Sequence, residues 1–505
     1  MPIPSILPRL PACLAVMAVM GAMALGDPML TTWSTVRSST YARVYQTTSA
    51  RTAGTSVTTW GSGSTVQSVP CYADIQGIWY SPSWVYVNCA GLASYIMGPW
   101  LNPQGGQFMF WPENLQVLHK FPRSPAVQNG SKDTTSSGVS GLWVNGVAIF
   151  NALDGHVWNG TDINGSAQTN SLSAYWFRDA PVGEGFNFDA GNGHQPPTAI
   201  YHTHQNPLGL RWQLGDHVTY NSSTKLYSES TSTPTAHSPI LGWADDGYPV
   251  YGPFGYSSPL DPASGVRRMV SGYVARDGSN GADNVADNLS TIPAWYARFR
   301  EKLGGAYALT ATTSRPSVSG SYTLGYFAQD YDYLGDLIKS GTATYQQGVE
   351  FDLDETNGRY CVTPDYPGGT YAYFVDIDGS GNSVYPYTFG YEFYGAATGG
   401  STSAITETVS TYFQGGASLV ESMSTPAVSG SSGNVTLTWS SVEGGTYELD
   451  ASTDVTGWSA LNSNISAAGN SPVTSGTDAG AAITYPKRFY RVTRTGLAPY
   501  QTTYP

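Results

Sequence analysis

Short runs of alternating apolar and polar residues, separated by Gly, Pro and Asn turns, extend through most of the chain. Between residues 66 and 395 they include GLWVNGVAIFNALDG, HSPILGWADDGYPVYGP and GTYAYFVDID. Alternation with a period of two predicts half-buried β-strands joined by turns. Helical periodicity is scarce, and its best example is TIPAWYARFREKLGG, where Thr291 can cap a helix and Pro293 suits its first turn. The pattern therefore predicts an all-β fold.

The pattern changes twice along the chain and divides it into segments. Residues 25–395 are the β-rich region, whereas residues 396–430 are rich in Ser, Gly and Thr and are typical of a linker. Residues 431–505 return to strict alternation around a tryptophan, which predicts a small β-sandwich. The pieces YELDASTDVTGWSAL and RFYRVT resemble fibronectin type III-like modules. That resemblance implies a spacer or a surface attachment unit.

The N-terminus carries a separate apolar run, ACLAVMAVMGAMAL, which is preceded by Arg9. Its fourteen residues are too few to span a bilayer comfortably. Ala22-Met23-Ala24 supplies the small residues of a cleavage site. We therefore predict a signal peptide over residues 1–24 and a secreted, periplasmic or cell-surface protein whose mature chain has no transmembrane segment.

Composition narrows the class of partner. Charged residues make up 12% of the chain, where about 25% is usual, and the net charge is −13. Because nucleic-acid affinity depends on Lys and Arg displacing counterions, nucleic acid is excluded as the main partner. Low charge together with 35 tyrosines is typical of an extracellular, turn-rich β-protein.

Three cysteines follow the predicted cleavage site. Cys71 and Cys89 bracket the strand-like runs ADIQGIWY and WVYV, as a disulfide across a hairpin would. We predict this disulfide, with Cys361 free and buried.

The histidines are the strongest chemical signal. Five of the seven fall between residues 194 and 237, where even spacing would place about 0.6, and histidine-rich tracts point to metal binding. His202 and His204 lie two residues apart in the strand-like IYHTH, so both side chains face one side of the strand and can approach one ion. Two alternatives stay open, namely a metal-free catalytic or ligand-binding role and structural hydrogen bonding.

Further donors are available to such a metal site. His194 can approach from a neighbouring loop, and His237 opens the strand-like HSPILGW. Asp245 or Asp246 can add a carboxylate, and Asp245 is favoured because Asp246 begins an Asp-Gly turn. Imidazole donors suit zinc or copper better than calcium, which prefers oxygen.

Three separated motifs resemble the YHYH-domain family. They are Tyr201-His202-Thr203-His204, the flanking runs GLWVNGVAIFNALDG and HSPILGWADDGYPVYGPFGY, and the later FDLDETNGRYCVTPDYPGGTYAYFVDIDG. The resemblance covers residues 140–395 and implies export without implying a particular activity. Thr203 stands where the name-giving motif has tyrosine. Since it faces away from the two histidines, we expect this departure to alter only packing or substrate contact.

A calcium loop is a weaker candidate. Asp376, Asp378 and Ser380 supply oxygens at positions 1, 3 and 5, and glycine follows at position 6. Position 12 is Tyr387, which cannot supply a bidentate carboxylate. A plain hairpin turn is therefore favoured over calcium binding.

Two classes of function follow from the sequence. The first is an exported protein that binds zinc or copper through His202 and His204, with His194 and His237 as partners. The second is a non-catalytic surface module that binds polysaccharide or extracellular matrix through exposed aromatic side chains. The sequence has no GxSxG elbow, HExxH helix or Walker loop at a plausible position. Ser238, beside His237, fits the start of a strand better than a nucleophile.

Overall fold

A computed structural model describes residues 29–35, 37–38, 40–135, 138–158, 160–164, 176–302, 314–414, 423, 426–441, 445–467 and 473–497. The described residues are 38% strand and 10% helix, which confirms the predicted all-β fold. Within these ranges no helix is long and apolar enough to cross a membrane. The signal peptide predicted over residues 1–24 lies outside the described residues, and export stays a prediction.

The strands are short and follow one another closely. The first are β1 (Trp60–Ser62), β2 (Thr65–Gln67), β3 (Ile75–Tyr80), β4 (Trp84–Cys89), β5 (Val117–Pro122), β6 (Val139–Trp143), β7 (Ala148–Phe150), β8 (Leu153–Trp158), β9 (Ile163–Asn164), β10 (Trp176–Asp179), β11 (Gly193–His194) and β12 (His202–Thr203). They are followed by β13 (Val218–Asn221), β14 (Leu226–Glu229), β15 (Ile240–Ala244), β16 (Pro249–Tyr251), β17 (Phe254–Ser258), β18 (Asp261–Arg268), β19 (Tyr273–Ala275), β20 (Tyr331–Tyr333), β21 (Ile338–Ser340), β22 (Ala343–Thr344), β23 (Gly358–Cys361) and β24 (Thr370–Phe374).

The last strands and the helices complete the set of described elements. The strands are β25 (Gly400–Ser401), β26 (Ser410–Gln414), β27 (Ala427–Ser429), β28 (Asn434–Ser440), β29 (Gly445–Ser452), β30 (Ser459–Ser466), β31 (Val473–Asp478) and β32 (Phe489–Leu497). The α-helices are α1 (Thr48–Ala53), α2 (Ala180–Glu184), α3 (Leu208–Gln213), α4 (Ala294–Lys302) and α5 (Ala481–Thr484). Short 3-10 helices span Leu30–Thr32, Gly185–Asn187, Ala328–Asp330 and Leu334–Asp336.

An eight-stranded mixed sheet forms the centre of the large domain, in the order β11-β12-β7-β6-β15-β16-β24-β23. Tight turns at Asn145-Gly146 and Asp246-Gly247 join two of its hairpins, and both glycines have positive φ, as such turns require. Two pairs of strands, β12 with β7 and β16 with β24, run parallel. These connections bring segments distant in sequence to one sheet.

A five-stranded antiparallel sheet, in the order β25-β5-β4-β3-β26, shares its core with the eight-stranded sheet. Its buried Val85, Val87 and Phe121 belong to the same apolar cluster as Leu142 and Ile149 of the larger sheet. The two sheets therefore form one domain around one core.

Part of the predicted linker belongs to this five-stranded sheet. β25 pairs with β5 and β26 pairs with β3, so segments within residues 400–414 form its two edges. Edge strands pair on one side only and are often short and polar, so their composition resembles that of a linker. The prediction of a linker over residues 396–430 is therefore wrong for these two strands.

The C-terminal segment has a core of its own. Two three-stranded sheets, β27-β28-β31 and β30-β29-β32, pack around buried apolar side chains. These are Val435, Leu437, Trp439, Tyr447, Leu449, Ala481 and Val492. This is the arrangement expected of a small β-sandwich, and its likeness to fibronectin type III stays a prediction.

The predicted helix is present as α4 (Ala294–Lys302), within the expected residues 291–305. Its buried Trp295, Tyr296 and Phe299 pack with Tyr385 and Tyr391 in a second, tyrosine-rich core. The apolar side chains at helical spacing thus face one cluster.

The cysteines differ from the prediction. Cys71, Cys89 and Cys361 are free thiols, so the Cys71–Cys89 disulfide is absent from the described residues. The register of β3 and β4 places Ile75 opposite Cys89, four residues away from Cys71. The Cys89 thiol instead lies 3.4 Å from the Gly146 carbonyl oxygen in the core, and burial raises its pKa to about 12. Cys361 is free and buried, as predicted.

Candidate metal centre

Three of the four predicted histidine ligands meet at the end of the eight-stranded sheet. β11 and β12 run antiparallel, and their register places His194 directly opposite His202. His204 follows two residues after His202 and shares its side of the strand, as the period of two predicts. One potential ligand atom from each of the three residues lies within 4.8 Å of the others, and all three side chains are buried.

The Nε2 atoms of His202 and His204 face each other at 3.0 Å. The Nδ1 atom of His202 lies 2.9 Å from the Ile200 carbonyl oxygen, and the Nδ1 atom of His204 lies 2.6 Å from the Asn151 carbonyl oxygen. A carbonyl oxygen can only accept a hydrogen bond, so each Nδ1 carries a proton. In the neutral imidazoles, both Nε2 atoms therefore present lone pairs.

Protonation of two of these imidazoles, those of His194 and His202, is unfavourable. Burial, reinforced by the neighbouring imidazoles, lowers the pKa of His194 and of His202 well below the ordinary value. The Nε2 atom of His194 is also buried, and among the described residues it has no hydrogen-bond partner. The rings of His194 and His202 are thus neutral near pH 7, the form in which histidine binds metal.

Glu184 brings a carboxylate to the same place. Its Oε2 atom lies 3.4 Å from the Nε2 atoms of both His194 and His204. It is the last residue of α2, whose N-cap is Asp179, and the Asp179 carboxylate accepts the Val182 N–H. Glu184 was not predicted from the sequence, because a single acidic residue ten positions before His194 fits no metal-binding spacing.

Aromatic rings and a cavity surround the cluster. Phe150 stacks on His202 with ring centroids 3.8 Å apart, and Phe188 packs against His194 at 4.7 Å. A cavity of about 270 Å³ opens beside the histidines. Its other lining residues are Gly138, Phe150, Leu153, Asp154, Glu184, Pro196, Thr198 and Ile200. The cluster thus has a largely apolar surround and room for a small molecule.

Thr203 lies on the other face of the strand. Its Oγ1 atom accepts a hydrogen bond of 2.7 Å from the indole nitrogen of Trp143, and its side chain is buried. The threonine that replaces the tyrosine of the name-giving motif therefore contacts the core, away from the histidine cluster.

His237 lies apart from the cluster. Its Nδ1 atom donates to the Ser238 carbonyl oxygen at 2.7 Å, and its ring packs edge-on against Tyr251 and Tyr256. It leads into β15, which the β6 and β7 strands separate from β12. The structure therefore does not bring this fourth predicted ligand to the other three.

The predicted acidic partners also lie elsewhere. Asp245 Oδ1 is 2.6 Å from Nε2 of His119, a buried histidine on β5. Asp246 accepts hydrogen bonds from the Tyr373 hydroxyl and the Gly395 N–H, and burial raises its pKa to about 6. The carboxylates of Asp245 and Asp246 thus lie in different environments, on the two sides of the backbone.

The candidate calcium loop has the geometry of a turn. Asp376 is buried, whereas Asp378 Oδ1 accepts the N–H groups of Ser380 and Asn382 and closes the loop. A bridge between Ile377 and Ser383 completes the hairpin. This is the favoured alternative, and calcium binding stays a prediction.

Comparison with known proteins identifies the family. The family model described as YHYH protein matches residues 118–380, which are 263 of the 505 residues. The chain belongs to the YHYH family. No curated protein and no solved structure matches it.

Proposed function

We propose that the YHYH domain binds one zinc or copper ion through the Nε2 atoms of His194, His202 and His204, with Glu184 as a fourth donor. The observation that carries this proposal is the 3.0 Å separation of the two Nε2 atoms of His202 and His204, both of which present lone pairs.

Two lone pairs at this distance repel each other unless a cation lies between them or one nitrogen is protonated. Protonation of His202 is disfavoured, because burial lowers its pKa well below the ordinary value. A metal ion that accepts both lone pairs removes the repulsion without protonating either ring. The Nε2 atom of His194, which is buried and makes no hydrogen bond to the described residues, supports the same conclusion.

The donor spacing also suits one small ion. Metal–ligand bonds of about 2.0–2.1 Å in a tetrahedron place neighbouring donors about 3.3 Å apart. The separations here are 3.0 Å between His202 and His204, and 3.4 Å from Glu184 to each of His194 and His204. Three imidazoles with one carboxylate favour zinc or copper over calcium.

Neighbouring backbone carbonyl oxygens and an aromatic ring support such a site by orienting the ligands and limiting access of water. The Ile200 and Asn151 carbonyl oxygens hold the two rings in the ligand-competent tautomer, and Phe150 limits access of water to one side. A bound ion of this kind supplies Lewis-acid chemistry, or redox chemistry if it is copper. The adjoining cavity gives a small molecule access to it.

The test is metal analysis of purified protein after separate reconstitution with zinc and copper and removal of loosely bound ions. We expect one ion per chain in the wild type and loss of that ion in the His202→Ala/His204→Ala double variant. His237→Ala, which removes a histidine outside the cluster, should keep the ion. Thermal unfolding of each protein shows that it is folded. A wild-type chain without stoichiometric metal, or a folded double variant that keeps it, contradicts the proposal.

A further inference from the structure

We propose that this protein has a second, metal-independent site, in which Ser401, His119 and Asp245 hydrolyse carboxylic esters with short acyl chains. The three residues lie on three different strands or strand ends. β25 pairs antiparallel with β5, and its register places Ser401 directly opposite His119. Asp245 immediately follows β15 of the neighbouring sheet and approaches the other side of the imidazole.

The contacts form a continuous chain of hydrogen bonds. Ser401 Oγ is 3.4 Å from His119 Nδ1, and His119 Nε2 is 2.6 Å from Asp245 Oδ1. The carboxylate accepts the Nε2 proton, which leaves a lone pair on Nδ1 facing the serine hydroxyl. This is the order of nucleophile, base and orienting carboxylate that activates serine in hydrolases. The two ring nitrogens are exchanged relative to the usual arrangement, but either one can act as the base.

The histidine and the aspartate are buried and the serine is exposed, as such a reaction requires. His119 is 1% exposed and packs against Phe121, and the Asp245 side chain is 13% exposed. Ser401, on an edge strand, is exposed. The base is thus held in a dry, fixed position, whereas the nucleophile is accessible to a substrate.

A cavity beside Ser401 and His119 defines the substrate class. It has a volume of about 280 Å³, just below the roughly 300–1,000 Å³ of small-molecule sites. Its walls include Leu115, Val117, Val139, Leu142, Ala148 and Ile200. Apolar walls of this size favour a short, uncharged acyl chain.

The reaction proceeds in two balanced steps. Ser401 Oγ attacks the ester carbonyl carbon while His119 Nδ1 takes the hydroxyl proton, and collapse of the tetrahedral intermediate breaks the bond to the alkoxy oxygen. That oxygen receives the proton from His119 and leaves as the alcohol, so that an acyl ester of Ser401 remains. Water then attacks the acyl ester and gives its proton to His119. The carboxylic acid leaves as Ser401 Oγ regains that proton.

The first test measures hydrolysis of p-nitrophenyl acetate, butyrate and octanoate by the full chain. We expect turnover that is fastest with the short acyl chains and that falls at least about 10²-fold in Ser401→Ala. Ser403→Ala, an exposed serine two residues away, is the matched control and should retain the rate. Turnover should also persist after a chelator has removed the metal, which separates this site from the histidine cluster.

The second test uses covalent labelling with a fluorophosphonate and localisation of the adduct by mass spectrometry. We expect one adduct per chain on Ser401 in the wild type, and strongly reduced labelling in His119→Ala. Turnover in Ser401→Ala equal to that of the wild type overturns the proposal. So does a folded wild type that shows neither turnover nor an adduct on Ser401.

Discussion

The protein holds buried histidines in two contrasting settings. In the cluster of His194, His202 and His204, ring nitrogens converge on one another, and backbone carbonyl oxygens accept the Nδ1 protons of His202 and His204. At His119 a carboxylate accepts the proton of Nε2, and the other nitrogen faces the hydroxyl of Ser401. In His202, His204 and His119, one ring nitrogen thus donates its proton to a fixed oxygen acceptor.

We infer from this difference that the group opposite the free nitrogen determines the chemistry. Lone pairs that face each other favour a bound cation, whereas a lone pair that faces a hydroxyl can take its proton. The same residue type thus favours a metal ligand in one setting and a general base in the other. Substitution of a residue next to one of these histidines, with the histidine itself unchanged, can test this contrast.

The largest effect is expected for Asp245→Asn. Asparagine keeps the size of the side chain but removes the charge that stabilises the protonated His119, so the rate of ester hydrolysis should fall by about 10²–10⁴-fold. The measurement is kcat with p-nitrophenyl butyrate. Asp261→Asn, at an exposed carboxylate that among the described residues accepts only the nearby Ala263 N–H, is the control. If kcat is unchanged in Asp245→Asn, His119 is not a base oriented by this carboxylate.

A smaller effect is expected for Glu184→Gln. Loss of one charged donor should weaken metal binding by about 10–100-fold, while the three imidazoles still hold the ion. Competition with a chromophoric chelator measures the affinity. Glu301→Gln, at an exposed glutamate on α4, is the control. Equal affinities in the wild type and Glu184→Gln would remove Glu184 from the donor set.

The smallest effect is expected for Thr203→Val, which changes the face of β12 opposite the histidines. The indole N–H of Trp143 loses its acceptor in the core, so the free energy of unfolding should fall by about 1–3 kcal/mol. Denaturant unfolding measures this loss, and metal stoichiometry should stay at the wild-type value. Thr219→Val, at an exposed strand position, should change stability by less than about 0.5 kcal/mol. Loss of the ion in a folded Thr203→Val protein would show that the two faces are coupled.

The sequence indicated the part of the cluster that depends on local geometry. His202 and His204 share a face because a strand has a period of two, and this spacing can be recognised without a structure. His194 was expected near them, but it reaches them through antiparallel pairing with β12 rather than from a loop. The approach of Glu184 to the histidines and the position of His237 away from them depend on how distant segments pack. No local sequence pattern indicates this packing.

The second site could not be predicted for the same reason. Ser401 lies 282 residues from His119, and Asp245 lies 126 residues from it. Only the pairing of β25 with β5 and the packing of the two sheets bring these groups together. The Ser- and Gly-rich composition around Ser401 also favoured a linker, so its strand was not anticipated.

One side chain borders both cavities. Ile200 lines the cavity beside the histidine cluster and also the cavity beside Ser401, and its carbonyl oxygen lies 2.9 Å from Nδ1 of His202. Ile200 is thus part of the wall of both cavities. We therefore expect a smaller or larger residue at this position to change the volume of both, so that the two cavities are coupled through the size of one residue.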